Sequence, residues 1–177
     1  MQENYPKICC HIYSGNYEDV YYRLDNGLLD FCITFQNFDV TKYDFLNLPE
    51  PDEWGIILRK DDPLVEKKFF TLEDLKNLPL IISREGVREE YPKWFGKNFD
   101  RLKIVATYNL IFNAGIMVQE GVGYLLSLDK ILQNDKICFR PLYPQLKSEL
   151  RFIWKKNQLF TPAAQILLDE IKNCLNY

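Results

Sequence analysis

Residues 107–128, TYNLIFNAGIMVQEGVGYLLSL, constrain the fold more than any other stretch, because helix, glycine turn and buried strand follow one another without a break. Leu110, Ala114, Met117, Val118 and Gly121 recur at helical spacing. Asn109 is placed to cap the first turn, and Gly121 to leave the helix in the left-handed conformation. Residues 122–128 then read as an apolar strand. A helix that starts where a strand ends presents unpaired N–H groups and the positive end of its dipole, which suits an anionic or polar ligand. That is chemistry for binding rather than catalysis.

Elsewhere strands and helices alternate, and a helix between two strands usually returns the chain to a parallel neighbour, so the class is α/β. Strands are expected at 8–13, 30–34, 43–48, 53–59, 79–83, 102–107, 122–128, 136–142 and 149–155. The Phe31-Cys32-Ile33 run is apolar enough for a central strand. Asn16 caps a helix whose apolar stripe is Tyr17, Val20, Tyr21, Leu24 and Leu28, with Gly27 near its end. Thr71 and Asp74 have the spacing of a capping box. Thr161 and Pro162 open a last helix with Leu167, Leu168, Ile171 and Leu175 on one face. Residues 86–99 stay ambiguous because Pro92 interrupts them, and the break at Asp61-Asp62-Pro63 marks a boundary between units.

With 177 residues, 47% of them hydrophobic, the chain can bury a core as one domain or two small lobes. Its 22 basic and 25 acidic side chains leave a net charge of −3, and Lys67-Lys68 and Lys155-Lys156 are pairs rather than a basic patch. The isolated chain should therefore show no salt-sensitive, sequence-selective DNA binding in a gel-shift titration. Five cysteines without CxxC spacing point to neither a disulfide framework nor a zinc site. They read as core thiols in a reducing cytosol, with Cys9 and Cys10 on opposite faces of a strand. No apolar run approaches the ~20 residues of a membrane span, and residues 1–8 lack a basic-then-apolar export signal, so a cytoplasmic location is expected.

Enzyme chemistry finds little support. His11 is the only histidine, lies mid-strand and has no nucleophile to pair with. Glu89-Glu90 read as solvated neighbours, and Gly121-Val122-Gly123 lacks the third glycine of a dinucleotide fingerprint. No catalytic residue, metal ligand or cofactor is expected.

The 107–128 segment also resembles the "N…L…V…G.G…LLP" segment of the effector-binding domain of LysR-type transcriptional regulators, with Ser127 and Leu128 departing from the usual proline. Other landmarks keep that family's order: Tyr5-Pro6, Ser14-Gly15-Asn16, Asn26-Gly27, Leu29-Asp30-Phe31-Cys32-Ile33, Asp62-Pro63-Leu64, Leu72 with Leu75, and Leu78-Pro79-Leu80-Ile81-Ile82. The resemblance implies a two-lobed type 2 periplasmic-binding-protein-like fold, its Rossmann-like lobes joined by crossing strands at 53–59 and 149–155. Lobe I would be residues 1–59 plus 157–177, and lobe II residues 60–156. Members also carry a further strand, most of a helix and a winged helix-turn-helix ahead of the Tyr-Pro pair, so the sequence reads as an N-terminally truncated effector domain.

The implied function is sensing of a small-molecule effector for a bacterial regulator, a homodimer whose contact would include residues 8–13. The effector would shift lobe geometry and so the DNA-binding heads of the complete protein. A solute-binding protein of the same fold serving transport is the alternative, and an enzyme on that scaffold a third. Ser14, Thr34, Ser83, Arg84, Thr107 and Asn109 are polar residues at the C-terminal edges of expected strands, where open α/β sheets bind ligands. Ser14, Thr34 and Ser83 stand where family members commonly place effector-touching hydroxyls. Each hydroxyl also has a local alternative as a cap or turn. Arg84 is suited either to clamp a carboxylate or to pair with Glu85, Glu89 or Glu90.

Overall fold

The computed structural model describes residues 3–35, 37–84, 86–87 and 90–176. In chain order its elements are α1 (Tyr17–Asp25), β1 (Cys32–Thr34), β2 (Tyr43–Asn47), β3 (Asp52–Arg59), α2 (Leu72–Lys76), β4 (Leu80–Ser83) and α3 (Glu90–Phe95). There follow β5 (Ile104–Tyr108), α4 (Ile111–Gln119), β6 (Tyr124–Leu128), β7 (Ile137–Pro141), β8 (Lys147–Ser148), β9 (Arg151–Lys155) and α5 (Pro162–Leu175). Short 3-10 turns cover Pro63–Glu66 and Gly96–Arg101. The chain forms two compact units, residues 1–51 with 149–177, and residues 52–148. These divisions precede β3 and β9, whereas the sequence reading drew them after those strands. All of β3 pairs with β6, β7 and β8, and all of β9 pairs with β1 and β2, which assigns each strand to its own unit.

Unit 1 is an antiparallel sheet in the order β1-β9-β2, with a helix on each face. Successive residues of β9 point to opposite faces. Ile153 packs with Tyr21 and Leu24 of α1, while Phe152 and Trp154 pack with Leu168 of α5. Leu24 is fully buried, a gain on the order of 1.5–3 kcal/mol. The local signals for these helices act as read. Asn16 accepts a hydrogen bond from the Asp19 N–H at 3.0 Å, and Thr161 accepts one from Ala164 at 3.2 Å with Pro162 at the first position. Gly27, at φ +67°, lets the chain leave α1, so Leu28 lies beyond the helix and is exposed.

Three expectations fail in this unit. Residues 8–13 form no strand but an irregular segment. A strand needs a neighbour at hydrogen-bonding distance, and residues 9–13 join no ladder among the described residues. Cys9 and Cys10 are consequently exposed rather than core thiols, as is Cys174, while Cys32 is buried; all five thiols are free. Finally, β1 is an edge strand, not a central one, and its Ile33 is 62% exposed.

Unit 2 is a mixed sheet in the order β5-β4-β6-β3-β7, with β8 added to the start of β3. Its core joins Ile57, Ile81, Leu125 and Ile137 of the sheet to Ala114 and Val118 of α4. Only β5, β4 and β6 are parallel. Thr71 and Asp74 make the expected reciprocal capping box on α2. Burial pushes the Asp74 carboxyl up, but the Thr71 N–H and hydroxyl and the Lys67 ammonium outweigh it, leaving the group below its ordinary value. The ambiguous stretch resolves as α3, which tolerates Pro92 because the proline falls in the first turn, where its missing N–H has no intrahelical role.

Candidate functional site

Strand order in unit 2 creates a topological switch. After β4 the chain crosses to β5 on one side and then, through α4, to β6 on the other. The carboxyl ends of such strands are where open α/β sheets take ligands. Four of the six residues expected from sequence gather there. Ser83 ends β4 in register with Tyr108, which ends β5, and Ile82 is in register with Thr107. The Arg84 N–H donates to the Tyr108 carbonyl at 2.9 Å, tying the two strand ends together just past the sheet. Asn109 follows Tyr108 directly and is exposed, as are Arg84 and Thr107.

Asn109 does not cap α4. The capping position belongs to Leu110, which offers no side-chain hydrogen bond. The apolar stripe is correspondingly displaced, with Ala114 and Val118 buried and Leu110 47% exposed. The first turn of a nine-residue helix therefore starts without a side-chain acceptor, two residues after Tyr108, whose carbonyl holds the backbone N–H of the exposed Arg84. Backbone N–H groups and a positive helix end suit an anion, and an arginine whose backbone is anchored at the adjoining strand end is a candidate partner for it. Among the described residues Arg84 has no ion-pair partner; Glu85 and Glu89, and the Glu90 side chain, lie outside them.

Sequence reading missed the support behind Ser83. Its N–H donates to the Tyr91 hydroxyl at 3.4 Å, and Tyr91 is fully buried on α3, against Trp54. Eight residues separate the pair, within the stretch that Pro92 obscured, so no local pattern pointed to it. Tyr108 was also missed, although its alternation with Thr107 was visible: Tyr108 packs toward the core and Thr107 faces the other way.

The remaining two residues lie in unit 1. Ser14 is exposed in the segment before α1. Next to it, the Tyr13 hydroxyl donates to Asp19, and the Arg23 Nε lies 3.1 Å from the same carboxylate. The Arg23 guanidinium also covers the Tyr13 ring at 4.3 Å. The hydrogen bond from Tyr13, followed by Arg23, holds the Asp19 carboxyl below its ordinary value. Thr34 ends β1 and is buried against α1. There burial holds the Tyr21 phenol well above its usual value, with the Thr34 side chain partly offsetting it. Among the described residues no three His, Cys, Asp or Glu side chains gather to hold a metal ion, and no helix is long and apolar enough to cross a membrane.

A family model, the LysR substrate binding domain, matches residues 1–175. The chain belongs to that family. Its function is thus the one the sequence suggested, the effector-binding domain of a LysR-type transcriptional regulator. Among curated relatives, the HTH-type transcriptional activator CmpR of Synechocystis sp. (strain ATCC 27184 / PCC 6803 / Kazusa) is 29% identical over 182 residues, 96% of this chain and 58% of CmpR. The LysR domain spans about three-fifths of the length of the curated relatives it matches. Among solved structures, the effector binding domain of QuiR in complex with shikimate superposes with a TM-score of 0.80 at 18% identity, covering 94% of this chain and 81% of that one. The regulatory domain of CcmR from Synechocystis PCC6803, in complex with 2-PG, gives 0.80 at 14% identity, over 98% and 86%. These likenesses carry the fold, the two-lobed periplasmic-binding-protein-like α/β class.

Proposed function

We propose that this LysR domain senses a small anionic metabolite held at the carboxyl ends of β4 and β5. The observation behind the proposal is the α4 N-terminus without a side-chain cap, with Arg84 anchored at the adjoining strand end. Ser83, Thr107 and Asn109 supply hydroxyl and amide partners at the same edge. QuiR and CcmR lend support, since their effector domains were solved with shikimate, a carboxylate, and with 2-PG. In the whole regulator, a cytoplasmic homodimer in this reading, the metabolite would favour one arrangement of the DNA-binding parts over another; a ligand moves such an equilibrium only by its differential affinity for the two states. The domain itself acts by binding, without catalysis or cofactor.

Calorimetric titration with shikimate and 2-PG tests the site. A ligand at a hundredfold excess over its Kd raises stability by about 2.7 kcal/mol, visible as a thermal shift. Arg84→Ala should weaken the ligand that binds by about 1.5–3 kcal/mol, the worth of a charge-assisted hydrogen bond. The melting temperature of the empty protein should stay put, because Arg84 is exposed and has no ion pair among the described residues. Equal affinities in the two proteins would remove Arg84 from the site. Failure of a wide panel of anionic metabolites to shift the wild type would remove the sensing role.

A further inference from the structure

The turn that carries Ser83 and Arg84 out of β4 is pinned step by step. The Arg84 N–H reaches the Tyr108 carbonyl on the β5 side, and successive N–H groups of a strand point to opposite sides, so the Ser83 N–H faces the β6 side. There the ladder between β4 and β6 covers Leu80 and Ile81. Beyond it the Tyr91 hydroxyl stands in for a strand carbonyl and accepts from the Ser83 N–H at 3.4 Å. The Ser83 carbonyl accepts from Val87 at 3.3 Å, and the Gly86 carbonyl from the Tyr91 N–H at 2.9 Å. Gly86 is buried, and a Cβ built on it would lie 2.4 Å from the Tyr91 ring. Its φ lies outside the left-handed region, so it is the ring that demands glycine there. Tyr91 is fully buried, packed edge to face on Trp54 at 5.7 Å and tilted against Trp94 at 5.8 Å.

We propose that Tyr91 is a positioning residue for the anion site: too buried to touch a ligand, it holds the turn that presents Ser83 and Arg84. The proposal rests on the effector reading above. An exposed arginine gives up side-chain freedom when it clamps an anion, and a backbone free to move beneath it would add a second loss. Preorganisation removes the second. Productive contacts need placement to within about 0.5 Å, which supporting residues must supply. The backbone hydrogen bonds of the turn are open to any sequence, whereas the hydroxyl and the bare Cα of Gly86 belong to particular residues. Each can be removed by itself.

The test uses the 177-residue chain with 2-PG and shikimate as probes. Tyr91→Phe keeps the ring and its contact with Gly86 but strips the Ser83 N–H of its acceptor, and should weaken a bound probe about five- to tenfold. Gly86→Ala, which pushes the turn off the ring with the hydroxyl intact, should imitate it. The deciding readout is a double-mutant cycle with Arg84→Ala. If Tyr91 acts through the turn, Arg84→Ala should cost less affinity in the Tyr91→Phe background than in the wild type. Additive losses, or unchanged affinity in Tyr91→Phe, overturn the proposal and leave the effector reading standing. Binding of neither probe counts against the effector reading, and amide hydrogen exchange of the empty chain then decides the role of Tyr91. Tyr91→Phe should speed exchange at Ser83 and Val87 while Leu80 to Ile82 keep their wild-type rates. Unchanged exchange at Ser83, or a uniform rise through β4, overturns the proposal.

Discussion

Replacing Trp54 by alanine is expected to destabilise unit 2 by about 3–5 kcal/mol, the range for emptying a large aromatic site in a core. Trp54 is 3% exposed, and its ring meets Tyr91 and Trp94 edge to face at centroid distances of 5.7 and 4.7 Å. Its indole N–H donates to the Ser148 hydroxyl at 2.7 Å, and Ser148 is itself buried. Alanine removes all of this together, leaving a cavity and a buried hydroxyl stripped of its donor. Urea denaturation followed by far-ultraviolet circular dichroism measures the loss. Trp54→Phe, which keeps most of the volume but not the donor, should cost clearly less. Equal costs for the two variants would mean that the ring contacts contribute nothing.

Gly55→Ala should be nearly as damaging, at about 3 kcal/mol or more, although it adds a single methyl group. Gly55 sits in β3 between Ser127 of β6 and Pro141 of β7. A Cβ there would lie 2.3 Å from the Arg140 carbonyl oxygen and 2.3 Å from the Phe139 ring. The ring can turn aside, but the carbonyl belongs to the paired strand and moves only if β3 and β7 separate. Adding Phe139→Ala should therefore fail to restore stability in the same urea experiment. Full rescue by that second change would show the ring to be the only obstacle.

What could be read from the chain divides according to the distance over which each feature is decided. Asn16, Thr71 with Asp74, and Thr161 with Pro162 act within three residues, and all cap where they were expected to. Gly121 leaves α4 at φ +73° for the same reason. Residues 8–13 have the composition of a strand, yet a strand exists only if a neighbour lies alongside, and composition says nothing about neighbours. The exposure of Cys9 and Cys10 follows from that one error. At the candidate site, the gathering of Ser83, Arg84, Thr107 and Asn109 was legible because strand ends and crossovers leave local marks. The bare start of α4 was not, since moving a cap by one residue, from Asn109 to Leu110, changes the chemistry but hardly the pattern. Tyr91 behind Ser83 depends on tertiary packing alone.

The pairing of Asp52 with Ser148 brings the two ends of unit 2 side by side within its own sheet. Unit 2 is thus an insertion of 97 residues, from Asp52 to Ser148, into the sequence of unit 1. Were unit 1 to assemble first, it would have to close a loose loop of that length, an entropic penalty of about 4 kcal/mol. Once unit 2 has folded, its adjoining ends act as a clasp, and the chain between Pro51 and Glu149 becomes in effect a short link. The topology therefore sets an order of assembly, with the inserted unit first and the discontinuous one second. It also makes residues 52–148 the piece to excise if one half is to be made to fold alone.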